Sequence, residues 1–305
     1  MDKIQENLLA EIADLHGVPE GAYNIRSNGV SVQRNCTANI DIETKNDKSG
    51  IDIYIRPGTK NESVHIPVIL NKNGLKEKFY NDFHIGEGAD VVIVAGCGIH
   101  CGGADDMQHD GIHTFYVEKN ARVKYIEKHY GEGDGNGKRV LNPETVIYLA
   151  EGAYMEMEAT QIKGVDSTVR VTKAKVGDNA KLVIHEKIMT HGNQLAKTDF
   201  IVDLDGENSA ANVVSRSVAK DNSKQIFISN IRGNNKCSGH TECDAIIMDN
   251  ANVSAIPEIV AGNVDASLIH EAAIGKIAGE QLLKLMTLGL TEKQAEEQIV
   301  SGFLR

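Results

Sequence analysis

Thiols and imidazoles crowd into two short stretches of this chain, and both have the makings of a metal site. GCGIHCGGADDMQHDGIHTF (96–115) gathers Cys97, His100, Cys101, His109 and His113. NNKCSGHTECDAIIM (234–248) holds Cys237, His240, Cys243 and Asp244. Soft thiolates and imidazoles at short spacing can hold zinc or iron. A third candidate is the pair His270 and Glu271 in SLIHEAAIGKIAGEQLLKLM (267–286), where strand-like alternation gives way to helical spacing. The plain alternative there is a helix start that carries an acid in its first turn.

Each stretch also has a structural reading. Cys97 and Cys101 are spaced C-x₃-C, unlike a zinc knuckle, and H-D-G-I-H lacks the Glu of the zincin helix. Gly102 and Gly103 argue for a loop there, so these groups also read as buried thiols and histidines at a corner of the fold. Cys243 enters a strand, CDAIIM, which fixes its direction, whereas Cys237 is expected in a mobile Gly/Asn-rich loop. A lone strand cysteine is more often an inert core thiol. The loop GEGDGNGKR (131–139) fails the P-loop pattern, because Glu132 stands where the first Gly is needed and Arg139 follows Lys138. His16, His65, His84, His129, His185 and His191 have no partner assignable from sequence and read as structural or solvent-facing.

The elements that must position these groups follow from composition and repetition. The chain has 305 residues, a net charge of -11 and a pI near 5.5, which argues against nucleic acid or an anionic membrane as partner. No apolar run of about 18 residues is present, so no transmembrane helix is expected. MDKIQENLLAEIADLHGV is amphipathic with acids throughout, unlike a signal or transit peptide, and a cytoplasmic location is expected. Five cysteines are an odd count that suits thiol or metal chemistry better than a disulfide framework. Aromatics are only 5% with no Trp, and Gly reaches 29, the balance of a solenoid of short strands and tight corners.

The chain also repeats itself. GEGADVVIVAG (86–96), EKNARVKYIEK (118–128), AEGAYMEMEAT (150–160), GDNAKLVIHEK (177–187), GENSAANVVSR (206–216) and DNANVSAIPEI (249–259) each pass from a Gly/Asn turn into apolar alternation. Ala89, Ala121, Ala153 and Ala180 recur at intervals of 32, 32 and 27 residues. Turn chemistry followed by period-two alternation means a strand after each turn, and its recurrence means stacked units sharing one core. A β-solenoid is predicted over roughly 30–268. Helical spacing occurs only at the ends: over 2–16, through Ile4, Leu8, Ile12 and Leu15, and after His270, through Ile274, Ile277, Ala278, Leu282, Leu285 and Met286. TEKQ (291–294) adds a capping box before a last short helix. The division expected is an N-terminal helical segment over 1–22, a solenoid core over 23–268 and a C-terminal helical segment over 269–305.

ECDAIIMDNANVSAIPEIVAGNVDASLIHEAAIGKI (242–277) and HEAAIGKIAGEQLLKLMTLGLTEKQAEEQIVSGFL (270–304) resemble the SufB/SufD scaffold family of iron–sulfur cluster assembly. The family carries Cys-Asp on a strand, an acidic extended segment and a step into H-E-A-x-x-x-K/R-I. The likeness spans roughly 80–305 by repeat pattern and is most specific over about 240–304. It implies a right-handed parallel β-helix with helical ends, and a non-enzymatic scaffold that builds a nascent iron–sulfur cluster where two scaffold subunits meet. By the same likeness Cys243 matches the cysteine implicated as cluster ligand, and His270 and Glu271 match the family's histidine and glutamate. The resemblance further implies a homodimer through the β-helix, a SufC-like ABC ATPase docked on 270–304, and transient sulfur donors and acceptor apoproteins. By the same resemblance the chain is expected to be a minimal SufB-like (SmsB-type) subunit of archaea and anaerobes, without the long N-terminal region of ordinary SufB. Two positions depart: Ile269 stands where SufB often has an acid, and HEKIMTH (185–191) lacks the cysteine proposed to accept sulfur, so that step differs or uses Cys97 or Cys101. The competing readings are a metal-dependent enzyme built on Cys97, Cys101, His109 and His113, and a solenoid adaptor that binds no metal.

Overall fold

Alternating apolar residues make strands that pass back and forth between two sheets. The computed structural model describes residues 3–15, 17 and 19–304, so His16 and the first and last residues of the expected helical ends lie outside it. One sheet stacks Ala22–Ser27, Lys60–Leu70, Asp90–His100, Arg122–Glu132, Tyr154–Lys163, Lys181–Thr190, Ser209–Ala219, Cys237–Ile247 and Ala266–Gly275 in that order. The other stacks Gly50–Ile55, Lys76–Ile85, Met107–Val117, Glu144–Leu149, Ser167–Val176, Leu195–Leu204, Lys224–Gly233 and Asn252–Ala261. Neighbours in these stacks are parallel, because the chain visits the opposite sheet between them. This is the β-solenoid the repeats predict.

The repeat is written at the corners. Ala89, Ala121, Ala153 and Ala180 are buried, and each donates its N–H back three residues, to Gly86, Glu118, Ala150 and Gly177. The residue before each alanine has positive φ: Gly88 at 65°, Asn120 at 57°, Gly152 at 68° and Asn179 at 55°. A turn with φ above zero at its third position takes Gly or Asn there, which is why those two types alternate along the repeat. Inside, a single core of mostly Ile, Val, Leu, Met and Ala runs the length of the solenoid. Stacked coils need few large rings.

The two ends are built differently. At the start, Val30–Asn35 and Ile40–Thr44 pair antiparallel with the first strands. Helix α1 (Lys3–Ala13) lies across Gly96 and Gly98, whose missing side chains admit Ile12 and Leu8. It ends at Asp14, in left-handed conformation, two residues before the end of the helical spacing at 16. At the far end the last strands, Asn252–Ala261 and Ala266–Gly275, are largely exposed. Helix α2 (Gly279–Thr287) buries no residue completely, whereas α3 (Glu292–Phe303) starts with the predicted capping box at Thr291 and Gln294. Leu304, Ile299, Val300 and Phe303 pack against Val218 and Ile246.

One expectation fails here. No helix begins at His270: the strand continues to Gly275 and crosses the expected boundary at 268/269. Its pairing with Cys237–Ile247 is unbroken up to Ile246 opposite Gly275, so its backbone groups are already committed to a ladder. Ile274 is therefore a strand residue, and Ile277 and Ala278 precede the helix.

Candidate functional site

A strand sends successive side chains to opposite faces, and this rule sorts the C-terminal candidates. On Cys237–Ile247 the odd residues point inward and the even ones outward. Pairing in register sets Glu186, Ser215, Cys243 and Ala272 in one inward row and Thr241 beside His270 in the next. Cys243 and His270 therefore share the inner face, one coil apart. Glu271, adjacent in sequence to His270, faces outward. The strand, not a helix joint, separates them.

Cys243 is 1% exposed and lies by a small interior cavity with Glu186, Thr198, Ser215, Gln225 and Phe227. Burial, with the negative charges of Glu186 and Asp244, pushes its thiol up to about 12. It is held protonated, and a metal ion that takes the sulfur must displace that proton. His270 Nδ1 lies 2.5 Å from the Thr241 hydroxyl. Burial, helped by His240, lowers the His270 pKa and keeps the ring neutral, the form that ligates metal.

The outer face carries a set that sequence reading passed over. His240, Glu242 and Glu271 bring one nitrogen and two carboxylate oxygens within 4.8 Å of one another. His240 Nε2 is 3.1 Å from Glu271, and Nδ1 is 2.9 Å from Asn212 Oδ1. The signal was available: His240 and Glu242 are two apart on a strand, and Glu271 is directly opposite Glu242. Only the register was missing.

Cys237 is not in a mobile loop. It opens the strand, is buried, and touches the position a side chain on Gly233 would take, so its place is fixed. Six residues from Cys243 on one strand is about 20 Å, too far to share a ligand set.

The 97–113 group divides as well. Cys101 sits in an apolar cluster with Val68, Leu70, Ile99, Met107, Leu141 and Val165. Cys97 belongs to the same apolar cluster and, with His109 and His113, also lines an interior cavity with His129, Glu127 and Asn81. There most polar groups are paired, although His113 Nδ1 is buried without a hydrogen-bond partner. His109 Nδ1 is 2.9 Å from Glu77, which pairs with Arg26 at 3.1 Å. Glu127 pairs with Arg170, accepts from Tyr125 at 3.0 Å, and lies 3.6 Å from His129. Burial alone would raise the Glu127 carboxyl, but Arg170 and the flanking histidines hold it well below the usual range. Burial pushes the Cys97 thiol well up and takes His113 down to about 4. His129, which had no assignable partner in the sequence, belongs to this network.

Residues 80–303 match the family described as SUF system FeS cluster assembly, SufBD core domain. The chain belongs to the SufBD family. An iron–sulfur cluster assembly SufBD family protein of Archaeoglobus fulgidus is 31% identical over 263 residues, 85% of this chain and 69% of the relative. Relatives of the same description come from Methanothermobacter thermautotrophicus, 27% identical over 86% of this chain and 64% of that protein, and from Pyrococcus horikoshii, 27% over 96% and 84%. Membership implies a role in iron–sulfur cluster assembly. The matched SufBD core spans Cys243, His270, Glu271 and both C-terminal helices, together with the interior network from His109 to Glu186.

Proposed function

We propose that this SufBD protein is the scaffold subunit on which a nascent iron–sulfur cluster is built, between two copies of itself. The observation that carries the reading is the pairing of an inward thiol and an inward neutral imidazole beside an open end of the solenoid. Ile259 and Ile274 sit opposite the buried Ile231 and Ala245, so they face the interior, yet they are 42% and 38% exposed. An interior row with no next coil needs a cover, and a second copy supplies the same edges by two-fold symmetry. Iron is cargo here. Cys243 supplies a thiolate once its proton leaves, and His270 supplies a neutral nitrogen from the last coil.

A SufC-like ABC ATPase is the partner proposed for the C-terminal helices. α3 spends its apolar side on the solenoid, which leaves α2 with Leu283 and Leu288 exposed for helix-in-groove docking. Hydrolysis then belongs to the partner, the scaffold itself performs no turnover, and the complex works in the cytoplasm. The alternative, a metal-dependent enzyme on Cys97, Cys101, His109 and His113, has weaker geometric support because Cys101 lies in an apolar cluster and His109 is engaged by Glu77.

The direct test is anaerobic reconstitution of the full chain, with and without the ATPase, followed by iron and sulfide counts and Mössbauer spectra. Stoichiometric iron and sulfide in a cluster spectrum is the expected result. A chain that binds neither sinks the scaffold reading.

A further inference from the structure

We propose that His240, Glu242 and Glu271 form a divalent transition-metal site on the outer face of the solenoid, back to back with the thiol on the inner face. The donors are already assembled: all three ligand atoms lie within 4.8 Å of one another. A metal with nitrogen and oxygen ligands about 2.1 Å away needs only small side-chain shifts to draw such a set together. His240 and Glu242 leave the same side of one strand, and register brings Glu271 of the next coil directly opposite Glu242. Two rigid strands, not a loop, set the positions.

Two independent features point to a cation. Like charges directly opposite each other across a ladder are unfavourable. This register sets the Glu242 and Glu271 carboxylates opposite each other with Asp244 on the same face, where Arg216 opposite Asp244 offsets only part of the charge. His240 supplies the second. In the tautomer whose Nδ1–H donates to Asn212 Oδ1, 2.9 Å away, Nε2 turns its lone pair to the Glu271 carboxylate at 3.1 Å. Two acceptors at that distance require a cation between them, a proton or a metal ion. A ring N–H held by a carbonyl while the other nitrogen is presented outward is the usual support of a metal-bound histidine.

The donor set selects the class of ion. One imidazole and two carboxylates, with open positions for water, suit iron(II), manganese(II), cobalt(II) or zinc, and offer nothing to a soft ion such as copper(I). His240 and Glu242 are half-buried and Glu271 is exposed, so an ion from solution reaches the site without any opening of the solenoid. Cys243 lies on the opposite face of the same strand and cannot ligate the same ion. That the natural ion is iron(II), held on the outer face before it reaches the thiol, rests on the scaffold reading above. The existence of the site does not.

The test is an anaerobic titration of the full chain with cobalt(II), followed by visible and near-ultraviolet absorption. The expected result is a cobalt site with weak visible bands of nitrogen and oxygen ligation, separate from any near-ultraviolet thiolate band that Cys243 gives on the inner face. His240→Gln and Glu271→Gln should each weaken binding by about tenfold or more, with thermal unfolding unchanged because both side chains face solvent. Visible bands and affinity that survive unchanged in both His240→Gln and Glu271→Gln overturn the site. Wild-type chain that binds cobalt but forms no cluster on reconstitution would instead remove the scaffold reading and leave this site standing.

Discussion

Two stretches of the solenoid interior carry polar groups, and they behave in opposite ways. Around Glu127 and Arg170, charges are buried and matched: Arg170 lies between Glu127 and Glu186, and Ser215 donates to Glu186 at 2.8 Å. Around Cys243 and His270, the thiol has no charged partner at bonding distance, and the imidazole has one hydroxyl and an open coil above it. A largely matched network in a closed interior contributes to stability and specificity, even with His113 Nδ1 and Glu186 Oε1 lacking hydrogen-bond partners. Donors left unused beside an uncovered end are available for a ligand. The difference separates a matched from an unmatched stretch within one continuous core, and the scaffold proposal rests on the unmatched one.

That contrast predicts opposite outcomes for changes in the two regions. The largest effect is expected from Cys243→Ser: reconstituted iron and sulfide should fall to background while far-UV CD and the thermal midpoint stay as in the parent. Full cluster content in this variant would place the ligand elsewhere. Next, Ile259→Lys sets a charge on the uncovered inner row and should convert a dimer to a monomer in light scattering. A parent chain that is monomeric at micromolar concentration, with or without the ATPase, would break the comparison, because the open end would then have no cover.

In the matched region the losses should appear as stability. Arg170→Met leaves Glu127 and Glu186 without their cation and is expected to cost about 3–5 kcal/mol in denaturant unfolding, with cluster content per folded chain retained. The smallest effect is a pH dependence. His113 titrates at about 4 when folded against an ordinary value of 6.5, because burial disfavours its charged form. The unfolded chain then binds the extra proton between those values, so stability falls as pH drops from about 6.5 toward 4, by on the order of 3 kcal/mol. Stability curves of parent and His113→Leu should diverge in that window and run parallel above pH 7.

Much of the fold is legible in the residues, and part of the site is not. Gly88, Asn120, Gly152 and Asn179 announce corners because few other residues tolerate their backbone angle, and the alanines after them mark each new coil. Cys243 and His270 can be found by motif. Their relation to Glu271 cannot, because adjacent residues on a helix start and on a strand project differently, and the apolar spacing after His270 fits either until pairing is known. His129 illustrates the same limit: its partners Glu127 and Arg170 are two and 41 residues away, and only stacking of coils unites all three.

Sequence by itself determined the solenoid, the positions of its corners and the capping box at Thr291, since each depends on local backbone preference or period-two alternation. Tertiary structure decided which face each candidate occupies, which end is left open and which charges are matched. Those depend on register, and register is a relation between strands about 30 residues apart that no local pattern specifies.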